Sequence, residues 1–186
     1  MWRLSILEID MTNKVFLSLG SNLDSRICNV QNCIHYLSDS KSIDVIKVSS
    51  LYETSPMYNL DQNDFINCVV EVQTSLKPLE LLKETQSLEI KMGRNRNLHR
   101  NQPRKIDIDI LTYNDEIIDD ENLNIPHSSI KERKFVLIPL LELMGNISIP
   151  GGSEKIEDLI KDLDKNSDKI SKCNYSINEK NLSYSS

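Results

Sequence analysis

Hydrophobic and polar positions alternate from Lys14 to Leu19, with Val15, Leu17 and Leu19 set against Phe16 and Ser18. A period of two predicts a strand. "GSN" ends it, and Asn22 or Asp24 is placed to cap a helix. Ile27, Val30, Ile34 and Leu37 then recur at helical spacing. The β-branched run Ile43 to Thr54 predicts a second strand, and Phe65 to Thr74 a third. "SPMYNLDQND", residues 55–64, has no period and reads as a loop between them. Pro78 suits the first turn of a second helix with Leu81, Thr85, Leu88 and Met92 as its apolar stripe, and Gly93 stops it. Residues 94–104 form a basic loop, and Lys105 to Tyr113 predicts a fourth strand. Ser129 to Met144 reads as helical around Pro139, and Ile156, Leu159, Ile160 and Leu163 mark a last amphipathic helix.

The resulting order is β-α-β-β-α-β followed by further elements. It implies an α/β (more narrowly α+β) fold of the ferredoxin-like βαββαβ type, a mostly antiparallel sheet with helices on its faces. The expected organisation is an extension over 1–13, one domain over 14–165, and a polar, disordered tail over 166–186. A fold of this kind hosts many functions, so function must come from a site.

Composition narrows the class. Hydrophobic residues make up 39% and charged residues 27%, which suits a soluble domain with a real core. A net charge of −6 argues against bulk nucleic-acid or membrane binding. The charge is uneven: between Lys91 and Lys105 stand six basic residues and no acid. A local basic segment in an acidic chain suggests a small polyanion such as a nucleotide. Cys28, Cys33, Cys68 and Cys173 show neither a CxxC pair nor metal-ligand spacing, which favours reduced thiols, and Cys33 and Cys68 fall on apolar faces. With no membrane span and a poor secretory signal at the start, the expected setting is cytoplasmic.

"RNQPRKIDIDIL", residues 100–111, carries the most specific chemistry. Side chains alternate across a strand, so Asp107 and Asp109 share a face while Ile106, Ile108 and Ile110 take the other. Two carboxylates that close need cations. Carboxylate oxygens suit Mg²⁺, which takes one or two carboxylates plus substrate phosphates. The sequence has no GxxxxGK[ST] and no GxGxxG, so side chains must hold the phosphates. Arg94, Arg96 and Arg104 are the candidates, since guanidinium is suited to bidentate phosphate contacts. Taken singly, each of these residues reads as well as a solvated surface charge, and the case rests on their combination.

Six ordered segments, "LGSNL", "SSLYETSPM", "FINCVVEVQTSL", "QSLEIKMGRNR", "PRKIDIDIL" and "NIPHSSIKERKFVLIPLLEL", make the chain from about Lys14 to about Leu163 resemble the 6-hydroxymethyl-7,8-dihydropterin pyrophosphokinases. The resemblance implies diphosphate transfer from ATP to the hydroxymethyl group of the dihydropterin, with release of AMP, in folate biosynthesis. It implies that Asp107 and Asp109 bind two Mg²⁺ ions, and that Arg94 and Arg104 are catalytic arginines of a mobile loop. It implies ATP contacts at Gln86, Glu89, Arg96, Arg104, Ile110, His127 and Arg133. It implies a pterin pocket of Thr54, Pro56, Met57, Phe65, Asn67 and Phe135. Two aromatic rings can stack a flat pterin, and an Asn amide offers both a donor and an acceptor to its edge. The chain departs from the family pattern at Asn101, often an aromatic, at Gln102, usually Gly or Ala, and at Asn122, an Arg in some members.

The expected partners are ATP and the pterin, with no nucleic acid and no membrane, and the expected state is a monomer. Two other readings fit the same residues. One is a Mg²⁺-dependent nucleotidyltransferase, in which pyrophosphate leaves. The other is a nucleotide-binding module without turnover.

Overall fold

The computed structural model describes residues 11–57, 61–94, 102–164, 169–175 and 177. In chain order the elements are β1 (Asn13–Ser21), α1 (Arg26–Ser38), β2 (Ile43–Val48), β3 (Tyr52–Thr54), β4 (Phe65–Thr74), α2 (Pro78–Lys91), β5 (Asp107–Tyr113), β6 (Ile118–Asp119), β7 (Asn124–Ile125), α3 (Lys134–Met144), α4 (Ile156–Leu163) and β8 (Ile170–Lys172). The main sheet runs β5-β1-β4-β3-β8, with β2 also on β4, and its pairings are antiparallel. Reading β2 and β3 as one broken strand, this is the ferredoxin-like arrangement that the element order implies. Among the described residues, no helix is long and apolar enough to cross a membrane.

Each face of the sheet has its own cover. Val15, Leu17 and Leu19 of β1, Val70 and Val72 of β4 and Ile108 and Ile110 of β5 bury into one cluster with Val30, Cys33, Ile34 and Leu37 of α1 and Leu81 of α2. The opposite face presents Phe16, Val69 and Leu111, which pack under Val136, Leu137 and Leu140 of α3 and Ile156 and Leu159 of α4. This second cluster covers only one end of that face. Beyond it the outward residues turn polar, and there the sheet is open.

Four elements differ from the sequence expectation, each for a local reason. The run Ile43 to Thr54 is not one strand, because its pairing with β4 slips between Val45 and Lys47 and stops after Val48. Ser49 replaces the ladder there: its hydroxyl accepts the Val69 N–H at 2.9 Å and its own N–H donates to the Val69 carbonyl at 2.9 Å. The helix expected from Ser129 begins as a 3₁₀ turn over Ile130–Glu132 and is interrupted where Arg133 is extended, so α3 starts at Lys134. Neither Asn22 nor Asp24 caps α1, whose N-cap is Ser25. The polar stretch from 166 is not all irregular: Ile170–Lys172 pairs with β3 as an edge strand. The stop at Gly93 holds, and its φ of +97° is a conformation that favours glycine.

Leu17 is fully buried at the centre of the first cluster. Leu17→Ala is expected to cost about 3 kcal/mol through lost transfer energy and the cavity left behind. Urea unfolding checks this, and an unchanged midpoint would contradict the placement.

Candidate active site

The floor of the site is the uncovered end of the second sheet face. Strand register sets its rows. Gly20 of β1 lies between Asn67 of β4 and Asp107 of β5, and Ser18 lies beside Asp109. Gly20 is the gap that lets Asn67 face outward: a Cβ built on it would stand 2.7 Å from Asn67 Oδ1. The Asn67 amide donates to Thr54 Oγ1 at 2.7 Å, which fixes its orientation and leaves one N–H unspent by that bond. Above this floor opens a cleft. Thr54, Pro56, Met57, Phe65, Arg104, Asp107, Asp109, Arg133 and Phe135 line it.

The two aspartates are close enough to feel each other. Burial, and then the neighbouring Asp107, push the Asp109 carboxyl above the usual range, against the pull of His127 and Arg133. Guanidinium groups supply the compensation. Arg94 Nη1 and Arg104 Nη1 both donate to Asp107 Oδ1, at 2.9 and 2.8 Å, and Arg133 Nη1 donates to Asp109 Oδ2 at 3.0 Å. His127 Nδ1 accepts the Ser129 N–H at 3.1 Å, so a neutral ring carries its proton on Nε2, 3.8 Å from Asp109 Oδ2. Burial lowers the His127 pKa, partly offset by Asp109, which favours that neutral form.

The donor set fits a hard divalent cation. Among the described residues no three His, Cys, Asp or Glu side chains gather as a closed metal cage. A pair of carboxylates facing arginines instead suits an ion that completes its shell with water and phosphate oxygens.

Glu89 has a different place from the other candidate residues. It is 5% exposed on α2, and its Oε1 accepts the backbone N–H of Ile108, between the two aspartates, at 2.9 Å. The same oxygen pairs with Arg94. Burial pushes its carboxyl up to about 7, with Arg94 and the Ile108 N–H pulling the other way. Glu89 therefore braces β5 from behind and does not line the cleft. Ile110 sits on the apolar face, 3% exposed, so its side chain belongs to the core. Gln86 is half-buried on α2, outside the residues that line the cleft. Arg96 lies outside the described residues, as does Asn101. Sequence reasoning missed Ser18, Gly20 and Gln62, all of which line the cleft. Only Gly20 carried a signal, a glycine inside an otherwise regular strand.

Two phenylalanines, a carboxylate pair and arginines line one cleft, a combination suited to a planar ring beside a polyanion. Residues 16–145 match the family model of the 7,8-dihydro-6-hydroxymethylpterin-pyrophosphokinases (HPPK). The 2-amino-4-hydroxy-6-hydroxymethyldihydropteridine pyrophosphokinase of Bacillus subtilis is 44% identical over 133 residues, 72% of this chain and 79% of that protein. The Haemophilus influenzae enzyme of that name is 37% identical over 146 residues, 78% of this chain and 90% of that protein. The folic acid synthesis protein fol1 of Pneumocystis carinii is 47% identical over 136 residues, 73% of this chain but 18% of that protein. The chain thus spans about a fifth of the length of such fungal relatives. Plasmodium falciparum HPPK-DHPS, solved with pterin and p-hydroxybenzoate, shares the fold, with a TM-score of 0.64 at 18% identity over 84% of this chain and 42% of that one. The chain belongs to the HPPK family, a family of pyrophosphokinases.

Glu89 makes stability depend on pH. Its carboxyl titrates near 7 when folded and near 4.5 as a free side chain, so the folded protein binds the proton more tightly. That contribution is whole below the lower value and is lost as pH rises through the higher one, on the order of 3 kcal/mol in all. Glu89→Gln is expected to flatten this part of the stability profile between pH 4 and 8, measured by urea unfolding. A profile identical to that of the unmodified protein would contradict the burial of this carboxylate.

Proposed function

We propose that this chain transfers diphosphate from ATP to the hydroxymethyl group of 6-hydroxymethyl-7,8-dihydropterin, releasing AMP, as a step of folate biosynthesis. The observation that carries the reading is that Asp107, Asp109, Arg104, Asn67, Phe65 and Phe135 line one cleft, in a chain of the HPPK family. The pterin ring lies between Phe65 and Phe135, its edge read by Asn67 and bordered by Thr54, Pro56 and Met57. ATP lies along the other end. His127 and Arg133 meet its phosphates there, and Gln86, Arg96 and the main chain at Ile110 are its further contacts.

Two Mg²⁺ ions held by Asp107 and Asp109 supply positive charge at the phosphate oxygens and lower the pKa of the pterin hydroxyl when bound. The chain's own residues do the remainder. Arg94 and Arg104, each hydrogen-bonded to Asp107, turn to the phosphates and neutralise charge as it develops. The hydroxymethyl oxygen attacks the β-phosphorus in line, and the bond to the α-phosphate oxygen breaks.

Incubation with Mg²⁺, ATP and the dihydropterin, omitting each in turn, tests the reaction. Pterin-dependent AMP without pyrophosphate is expected. Pyrophosphate as product would favour nucleotidyl transfer, and tight Mg-ATP binding without AMP would favour a binding module. Asp107→Ala is expected to abolish AMP formation. Arg104→Ala is expected to lower kcat by roughly 100-fold or more with KM for ATP changed less than about 5-fold. Equal losses in both constants would remove Arg104 from the transition state.

Gly20→Ala is expected to weaken pterin binding by about 10-fold or more, because the new methyl displaces the Asn67 carboxamide. Fluorescence titration reads this, and unchanged affinity would mean that Asn67 does not bind the ring edge.

A further inference from the structure

Asn22 follows directly on β1 and is completely buried. Its polar atoms reach two segments far apart in sequence. Its main-chain N–H donates to the Arg104 carbonyl at 3.2 Å, and its Oδ1 accepts the Arg104 N–H at 2.8 Å. Its Nδ2 donates to Gln62 Oε1 at 2.9 Å and lies 3.5 Å from the Asn63 carbonyl. Gln62 stands just before Phe65, on the ring side of the cleft. Arg104 stands just before Asp107, on the phosphate side, and both line the cleft.

A buried carboxamide with its donor and acceptor spent on different segments makes those segments interdependent. Moving either one alone strands a buried polar atom, which is unfavourable. Aspartate in its place would keep the acceptor and lose the donor, and an apolar residue would lose both. The end of β1 is itself held firmly, since the Asn29 amide donates to Ser21 Oγ at 3.1 Å and to the Leu23 carbonyl at 2.8 Å. The joint is therefore fixed to the sheet while its two partners belong to segments that border the ligands.

We propose that Asn22 is a positioning residue that couples the ring end of the cleft to the phosphate end, acting through Arg104 and Gln62 without touching either substrate. The inference rests on the diphosphate-transfer reading of the site. Occupancy of one end holds its segment in the geometry the joint requires, so the other end binds its ligand more tightly. Such coupling is reciprocal between the two ligands.

Calorimetric titration of 6-hydroxymethylpterin, alone and with saturating Mg²⁺ and α,β-methylene-ATP, tests it. In the unmodified protein the nucleotide analogue is expected to tighten pterin binding by about 10-fold or more. In Asn22→Ala the tightening is expected to fall below about 3-fold, while pterin affinity without nucleotide stays within about 3-fold of the unmodified protein. If Asn22→Ala does not fold, Asn22→Ser, a polar side chain too short to span both segments, carries the test. Full coupling in a folded variant, or no coupling in the unmodified protein, would overturn the proposal. Unmodified protein that binds neither probe would overturn the functional reading beneath it.

Discussion

Repulsion between Asp107 and Asp109 is the constraint on which the site depends. Two carboxylates on alternate residues of one strand face the same way, and neither is stable there without positive charge nearby. That charge comes from Arg94, Arg104 and Arg133, drawn from three different segments. The same arginines are of the kind suited to phosphate oxygens. Under the proposed function, Asp107 and Asp109 would hold the divalent cation, and the arginines would then be available to phosphate oxygens.

The sheet makes this arrangement possible by using its two faces differently. One face is apolar along its length and sealed by α1 and α2. The other is apolar only under α3 and α4, and its remaining end is the floor of the cleft. Charged residues can therefore stand on the edge strand β5, beside the central strand β1, without disturbing the core. Glu89 ties the two sides together, reaching from the apolar side to the backbone between the aspartates.

The sequence pattern was most legible where one physical demand acted alone. The alternation around Asp107 and Asp109 revealed their shared face, and helical spacing revealed α1, α2 and α4. It was misleading where a partner distant in sequence decided the outcome. Asn22 has the chemistry of a helix cap, but the Arg104 N–H takes its oxygen. Glu89 has the charge of a surface residue, but the exposed backbone of β5 and Arg94 draw it inside. The break between β2 and β3 falls at Ser49 to Leu51, inside the run read as one strand, because the hydroxyl of Ser49 ends the ladder there. The edge strand β8 has no apolar period at all, since it needs only backbone pairing with β3.

The most direct test of the account is a count of the divalent ions bound at the carboxylate pair. Electron paramagnetic resonance of Mn²⁺, titrated with α,β-methylene-ATP present, would be measured for the unmodified protein and for Asp107→Asn with Asp109→Asn. The account expects tight Mn²⁺ binding in the first and its loss in the second, with the fold intact. The same number of ions held equally tightly by both proteins would mean that the nucleotide carries them without the aspartates, and would contradict the account.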